Sequence, residues 1–328
     1  MKRFHWRFVY QWGLGLLLLL LLFLLGDLSQ FRLLPDMGWV SVLAVFLCNV
    51  FFTVSHNFRW KKIVDDLSPH GRSDFLSLYR SLVDSYAMGK IIPMDVSLLV
   101  LRSYDLKRLQ GTPISVAVFS VLLDRFLDIV ILLVMGLPSF LLITGAASEI
   151  QSLSILVFFL IGQGFVIFWK KGETFHFLRR IYRLFLARWL SKIPFLGNRL
   201  RGEMGQEEEV GHFSLASVTE TMLWNLVKYV FLSLRFYFTG RALGIPFPWL
   251  QGFFFLPFIQ LSGIINVTPG GLGVLELGTY GALVLMGIPK FQILTFVVGQ
   301  RILLISMSFA LFFFIRIFFL FRPRLRQA

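Results

Sequence analysis

Long apolar runs alternate with short polar stretches along the whole chain. Runs at 8–25, 37–58, 113–143, 153–169, 216–239 and 291–314 fall in or above the range of about 17 to 25 residues that a helix needs to cross a bilayer. They predict six spanning helices. Two further apolar regions, 75–106 and 249–287, are each interrupted near the middle, and their halves are too short to cross. These predict helical hairpins that enter and leave by the same face. The expected fold is an all-α polytopic membrane protein, a single integral membrane domain over 1–328. Only helix-on-helix packing can make its core.

Composition supports this reading. The 328 residues are 56% hydrophobic and 15% charged, with a mean hydropathy of +0.74, whereas soluble domains carry about 25% charged residues. The single cysteine, Cys48, excludes an intramolecular disulfide. The net charge of +14 lies between apolar runs, so it points to anionic lipid and topology rather than nucleic acid. The run 8–25 has basic residues before it, and Gly26-Asp27 rather than a small-residue cleavage site after it. It is expected to remain as a first span. With the N-terminus inside, the loop Lys and Arg residues gather on the cytoplasmic side, Arg59, Arg102 and the basic residues of 170–201 among them. Only Arg32, Arg241 and Lys290 fall outside. This predicts cytoplasmic termini in a bacterial-type inner membrane. Segment 170–212 alternates Phe177, Ile181, Leu184, Phe185 and Trp189 with arginines, the pattern of a basic amphipathic helix lying on headgroups.

The run Asn266-Val267-Thr268-Pro269-Gly270-Gly271-Leu272-Gly273-Val274-Leu275-Glu276 breaks the second hairpin. Bare backbone is not tolerated against lipid, so the break must be buried in protein or line a wet cavity. Sliding the chain against itself by 176 residues places Pro93 on Pro269, Tyr104 on Tyr280, Gly111 on Gly287, Pro113 on Pro289 and Arg125 on Arg301. Asn49 meets Asn225, and Arg59 meets Arg235. The two copies, about 37–143 and 213–319, each read as span, re-entrant hairpin, span. An extra N-terminal span precedes them and a linking span separates them. The linking span inverts the second copy, an arrangement common in transporters. The tips, Lys90–Pro93 and Asn266–Gly271, are then expected to approach each other from opposite faces.

An arginine at span depth is costly and usually faces a bundle interior or a wet cavity. Arg125 has Asp124 and Asp128 beside it on the helix, whereas Arg301 has no acid nearby in sequence, so its partner is Glu276 or a ligand. Lys90 and Asn266 are equivalent across the offset. Lys228 is expected at the cavity wall, and Arg235 to snorkel. The guanidinium fork suits phosphate or carboxylate. Enzyme signatures are weak. His5, His56, His70, His176 and His212 make no metal spacing, and neither a phosphate-binding loop nor a nucleophile elbow occurs. Asp65-Asp66 read as a solvated cytoplasmic turn. The Asn266-Val267-Thr268 sequon is discounted because proline follows it at membrane depth. No cofactor or metal is expected.

Three stretches carry a family resemblance: Pro269-Gly270-Gly271-Leu272-Gly273-Val274-Leu275-Glu276, Arg301 one span later, and Asp124-Arg125-Phe126-Leu127-Asp128. Together they resemble the transmembrane region of lysylphosphatidylglycerol synthase, the flippase-like integral membrane family. Pro93-Met94-Asp95-Val96-Ser97 departs from the family's glycine-rich first tip. There Arg102 stands for the family arginine, and the acid is missing or displaced to Asp95. The resemblance implies movement of an anionic, aminoacylated or isoprenoid-type lipid across the membrane. Together with the repeat and the span-depth charges, it predicts a substrate site from Arg125, Arg301, Glu276, Gly270, Gly271, Gly273, Asn266, Lys90, Asp124, Asp128, Arg102 and Lys228. Transferase activity is not expected, because the chain ends at Ala328. The alternatives are a membrane-embedded enzyme using Glu276, Asp124 or Asp128 as base, and an accessory subunit of a separate lipid-modifying enzyme. Expected partners are membrane lipids with anionic headgroups. Oligomeric state is not legible.

Overall fold

The computed structural model describes residues 38–68, 72–169, 215–264 and 268–321. The predicted first span 8–25, the connector 170–212 and Asn266 lie outside these. Every regular element among the described residues is a helix: α1 (Trp39–Leu67), α2 (Phe75–Met88), α3 (Met94–Gln110), α4 (Ile114–Ile143), α5 (Glu149–Trp169), α6 (Leu215–Ala242), α7 (Trp249–Ile264), a 3-10 turn (Pro269–Gly271), α8 (Val274–Leu285) and α9 (Lys290–Leu320). α1, α4 and α9, of 29, 30 and 31 residues, are long and apolar enough to cross a membrane. α2, α3, α7 and α8, of 14, 17, 16 and 12 residues, are much shorter.

The breaks have local causes. Asp74 caps α2 by accepting from the Ser77 N–H at 2.7 Å. α3 ends on Gly111 at φ 67 and α4 starts after Pro113. Gly287 at φ 74 and Pro289 repeat this break between α8 and α9. Glycine adopts the left-handed backbone that closes a helix, and proline lacks the N–H that a helix start leaves unpaired. Both joints stand 176 residues apart, as do the starts of α1 and α6 and of α4 and α9.

α1 and α6 form the most extensive helix pair. α2 packs on α9 and α7 on α4, so each short pair leans on the last helix of the other half. Lipid tails are as apolar as leucine, so close packing and internal polar contacts must hold such a bundle. Phe236, Phe247 and Phe296 interlock with ring centroids 5.0 to 6.0 Å apart. Phe52, Ile131, Leu132, Met135, Leu232 and Phe254 join α1, α4, α6 and α7. The outer surface is apolar as well: Leu133, Phe140, Phe158, Phe313 and Phe314 are exposed. A helix apolar all round belongs in lipid, and the molecule is a membrane protein.

α1 runs nine residues past the end of its apolar run. Asp65 and Asp66 therefore lie on a helix rather than in a turn. Asp65 pairs with Lys61 and accepts from the Ser73 N–H at 2.6 Å, and Asp66 pairs with Lys62 at 3.0 Å. Both carboxylates are structural.

Candidate functional site

Asp124 and Asp128 lie four residues apart on α4, which puts both carboxylates on one helix face. Asp124 is fully buried. One oxygen accepts from His56 Nε2 at 2.7 Å and Arg102 Nη1 at 2.8 Å, and the other from Arg59 Nε at 2.8 Å. Asp128 accepts from Arg59 Nη1 at 2.6 Å and from Lys228 Nζ. Asn225 accepts from the same Arg59 nitrogen and donates to the Leu127 carbonyl at 2.9 Å. The Arg102 guanidinium lies 3.8 Å from the centre of the Trp60 ring. His56 Nδ1 meets the Tyr86 hydroxyl at 2.6 Å. Five helices thus contribute to one charge network. Isolated buried ions cost several kcal/mol each, on the order of the whole stability of a fold, so they persist only when mutually paired.

A second nest forms where the two short-helix pairs meet. The Gly270 N–H donates to the Ile92 carbonyl at 3.2 Å, joining the second tip to the first. Gly270 sits at φ 58, and a Cβ there would stand 2.7 Å from the Lys90 carbonyl oxygen and 2.9 Å from Arg301 Nη2. Only glycine fits both the backbone and the space. Gly271 and Gly273, also at positive φ, complete the turn. The Gly273 N–H donates to Glu276 Oε2 at 2.8 Å. Of the two partners open to Arg301, Glu276 is present: Nη1 stands 2.9 Å from Oε1. This is an ion contact rather than a hydrogen bond, Oε1 accepting none; Nη1 donates to the Gly270 carbonyl, also at 2.9 Å.

Between the two nests lies a cavity of ≈ 430 Å³. Lys90, Arg125, Lys228, Arg235 and Arg301 reach its wall, as do Asp95, Asp128 and Glu276. Five basic side chains face three acids, an excess of two in formal charge. Much of the remaining wall is apolar, Leu99, Ile129, Leu132 and Leu232 among it. Arg125 contacts Asp95 at 3.3 Å and Asp128 at 3.7 Å.

Arg125, Arg301, Glu276, Lys90, Asp128 and Lys228 therefore share one cavity. Asp124 and Arg102 do not line it; they lie behind the wall and hold it in place. Gly270, Gly271 and Gly273 shape the adjoining tip. Two arginines counted as topology charges, Arg59 and Arg102, are instead fully buried. Arg235 does not snorkel: it lines the cavity and donates to Asn49 Oδ1 at 2.7 Å. The self-match had paired Asn49 with Asn225 and Arg59 with Arg235. The contacts cross between the copies, with Arg59 on Asn225 and Arg235 on Asn49. No pattern in the sequence marked His56 or Tyr86, which meet through folding alone.

The chain is 23% identical over 321 residues to a UPF0104 membrane protein of Methanothermobacter thermautotrophicus, covering 95% of this chain and 92% of that protein. The sequence model of the lysylphosphatidylglycerol synthase TM region matches residues 10–321. That match takes in both joints, both tips and all the cavity arginines, and on it the chain belongs to the family of the lysylphosphatidylglycerol synthase TM region.

Proposed function

We propose that this protein is a lipid transporter of the flippase type, moving an anionic phospholipid or a related modified or isoprenoid-type lipid from one leaflet to the other. The observation that carries the reading is the cavity: apolar over much of its wall, yet holding two more positive formal charges than negative. An anionic headgroup answers the charge, and the apolar wall suits acyl chains. Glu276 neutralises Arg301. An incoming phosphate competes for that guanidinium, and the glycine-lined tip lets it approach backbone N–H groups.

The second half of the proposal is an inverted pair of repeats with two re-entrant hairpins. Its supports are the 176-residue offset, the reciprocal packing of α2 on α9 and α7 on α4, the crossed Arg–Asn contacts, and short helices meeting tip to tip. Movement of one repeat against the other would part the tips and open the cavity to alternate leaflets. The enzyme alternative needs a carboxylate with room for substrate. Asp124, Asp128 and Glu276 are each already engaged by cations or an N–H, which favours transport.

Purified full-length protein in vesicles should relocate labelled phosphatidylglycerol between leaflets with its covalent structure unchanged. Covalent conversion without relocation would mark an enzyme. Neither activity alone, with activity restored by a separate synthase, would mark an accessory subunit.

A further inference from the structure

Each acid on the cavity wall has a basic partner: Asp95 and Asp128 contact Arg125, Asp128 also contacts Lys228, and Glu276 contacts Arg301. Two cations remain. Among the described residues no acid pairs with Lys90 or with Arg235. Arg235 donates to the Asn49 amide oxygen at 2.7 Å and its guanidinium lies 5.0 Å from the Phe52 ring centre, both neutral partners. Like charges held close together in a medium of low dielectric repel strongly. In this arrangement a further anion is the missing component.

The other copy indicates what belongs there. Arg59 is the 176-residue counterpart of Arg235 and makes the matching contact to Asn225. It is neutralised by Asp124 and Asp128. At the same offset those two acids become Gln300 and Leu304, both on the cavity wall. The second copy has the arginine, which takes its amide partner, Asn49, from the first copy, and has neither carboxylate. A dissolved or lipid-borne oxyanion can occupy the place that carboxylates fill in the first copy. Gln300 remains as a neutral donor, and Arg235 offers the bidentate fork that suits phosphate.

We infer that Arg235, Lys90 and Gln300 form a phosphate-binding subsite within the cavity, asymmetric between the two copies. The inference rests on the transport reading and deepens it by naming the side chains that take the headgroup phosphate alongside Arg301. On it, the paired set around Arg125, Asp95 and Asp128 is the scaffold side of the cavity, and the α6–α9 side is where the ligand docks.

The test uses full-length protein in detergent, reading the rise in melting midpoint with ligand concentration, which reports affinity for the folded state. The probes are phosphatidylglycerol, diacylglycerol with the same chains, and glycerol 3-phosphate. Wild type should respond to phosphatidylglycerol and not to diacylglycerol. Arg235→Gln should weaken the response at least tenfold, and Arg235→Lys less. Gln300→Asp supplies the missing internal counter-ion. It should abolish the response while its own ligand-free midpoint is no lower than wild type. A response to phosphatidylglycerol, with or without glycerol 3-phosphate, supports a lipid phosphate; a response to glycerol 3-phosphate alone supports the subsite but makes a free anion its ligand. Wild-type affinity in both Arg235→Gln and Gln300→Asp, or an equal response to diacylglycerol, overturns the subsite. The vesicle assay separates the two claims. Relocation by wild type with both variants binding normally removes the subsite and leaves transport. Lost binding in the variants, with no relocation by wild type, removes transport and leaves the subsite.

Discussion

Arg301 does two things through one nitrogen: Nη1 meets both the Glu276 carboxylate and the Gly270 carbonyl. A lysine at this position keeps the charge but has no planar fork. Losing one charge-assisted hydrogen bond from the fork to a bound lipid phosphate is worth about 1.5–3 kcal/mol, and each 1.4 kcal/mol is about tenfold. Arg301→Lys is therefore expected to slow lipid relocation about tenfold or more while the melting midpoint stays near wild type. Glu276→Gln should likewise stay folded and inserted but lose discrimination among headgroups. Asp124 behaves differently, because Arg59, Arg102 and His56 all converge on it in a fully buried setting. Asp124→Asn strands the Arg59 and Arg102 guanidiniums and should destabilise the protein by about 3–5 kcal/mol. Thermal unfolding in detergent should show it as the least stable of the three. A midpoint for Asp124→Asn equal to wild type would contradict its assignment as scaffold.

At the scale of elements, the two short-helix pairs are alike in outline and unlike in fastening. α2 is tied to α9 by Arg316 and Asp84 at 2.7 Å. The 176-residue counterparts are Gln260 and Phe140, and α7 meets α4 through the cluster around Phe254, Ile131 and Leu132 instead. The tips themselves touch through Gly270. A side chain there would adopt a left-handed backbone at a cost of about 1–2 kcal/mol and would press on the Lys90 carbonyl. Gly270→Ala should part the tips without melting the long helices. Hydrogen-exchange mass spectrometry should then find faster exchange in peptides covering 88–94 and 268–274, with α1 and α4 unchanged. Unchanged exchange at the tips would show that their contact does not depend on the glycine.

For the whole molecule, the proposed topology makes an accessible prediction, since Cys48 is the only cysteine and is buried. On a Cys48→Ser background, single cysteines near Gln110 should react with an impermeant reagent from the cytoplasmic side. Those near Pro246 and Gly287 should react from the opposite side. A first hairpin that returns to its own face also puts Ser68 and Gln110 on one side. Labelling of these two from opposite faces would end the re-entrant arrangement. The charge bias in the sequence favours this orientation but does not distinguish a returning hairpin from a crossing one, because the flanks of the second hairpin are poor in charge either way.

Hydropathy alone determined that this is a helical membrane protein, because bilayer thickness fixes how long an apolar helix must be. Local chemistry also fixed the joints at Gly111–Pro113 and Gly287–Pro289, where backbone preference leaves little choice. The self-match found the arginines at 125 and 301, since an ion at span depth is conspicuous against leucine. Folding decided everything that depends on partners far apart in the chain. His56, Arg59, Arg102 and Asp124 come from three different helices, and no spacing rule connects them. Whether Arg235 reaches lipid headgroups or a cavity depends on which face of α6 packs inward, and the apolar character of both faces hides that in the sequence. The distinction between paired and unpaired cations came last of all, because it is a property of distances. Of two arginines 176 residues apart, Arg59 meets two aspartates, whereas Arg235 meets an asparagine and an aromatic ring.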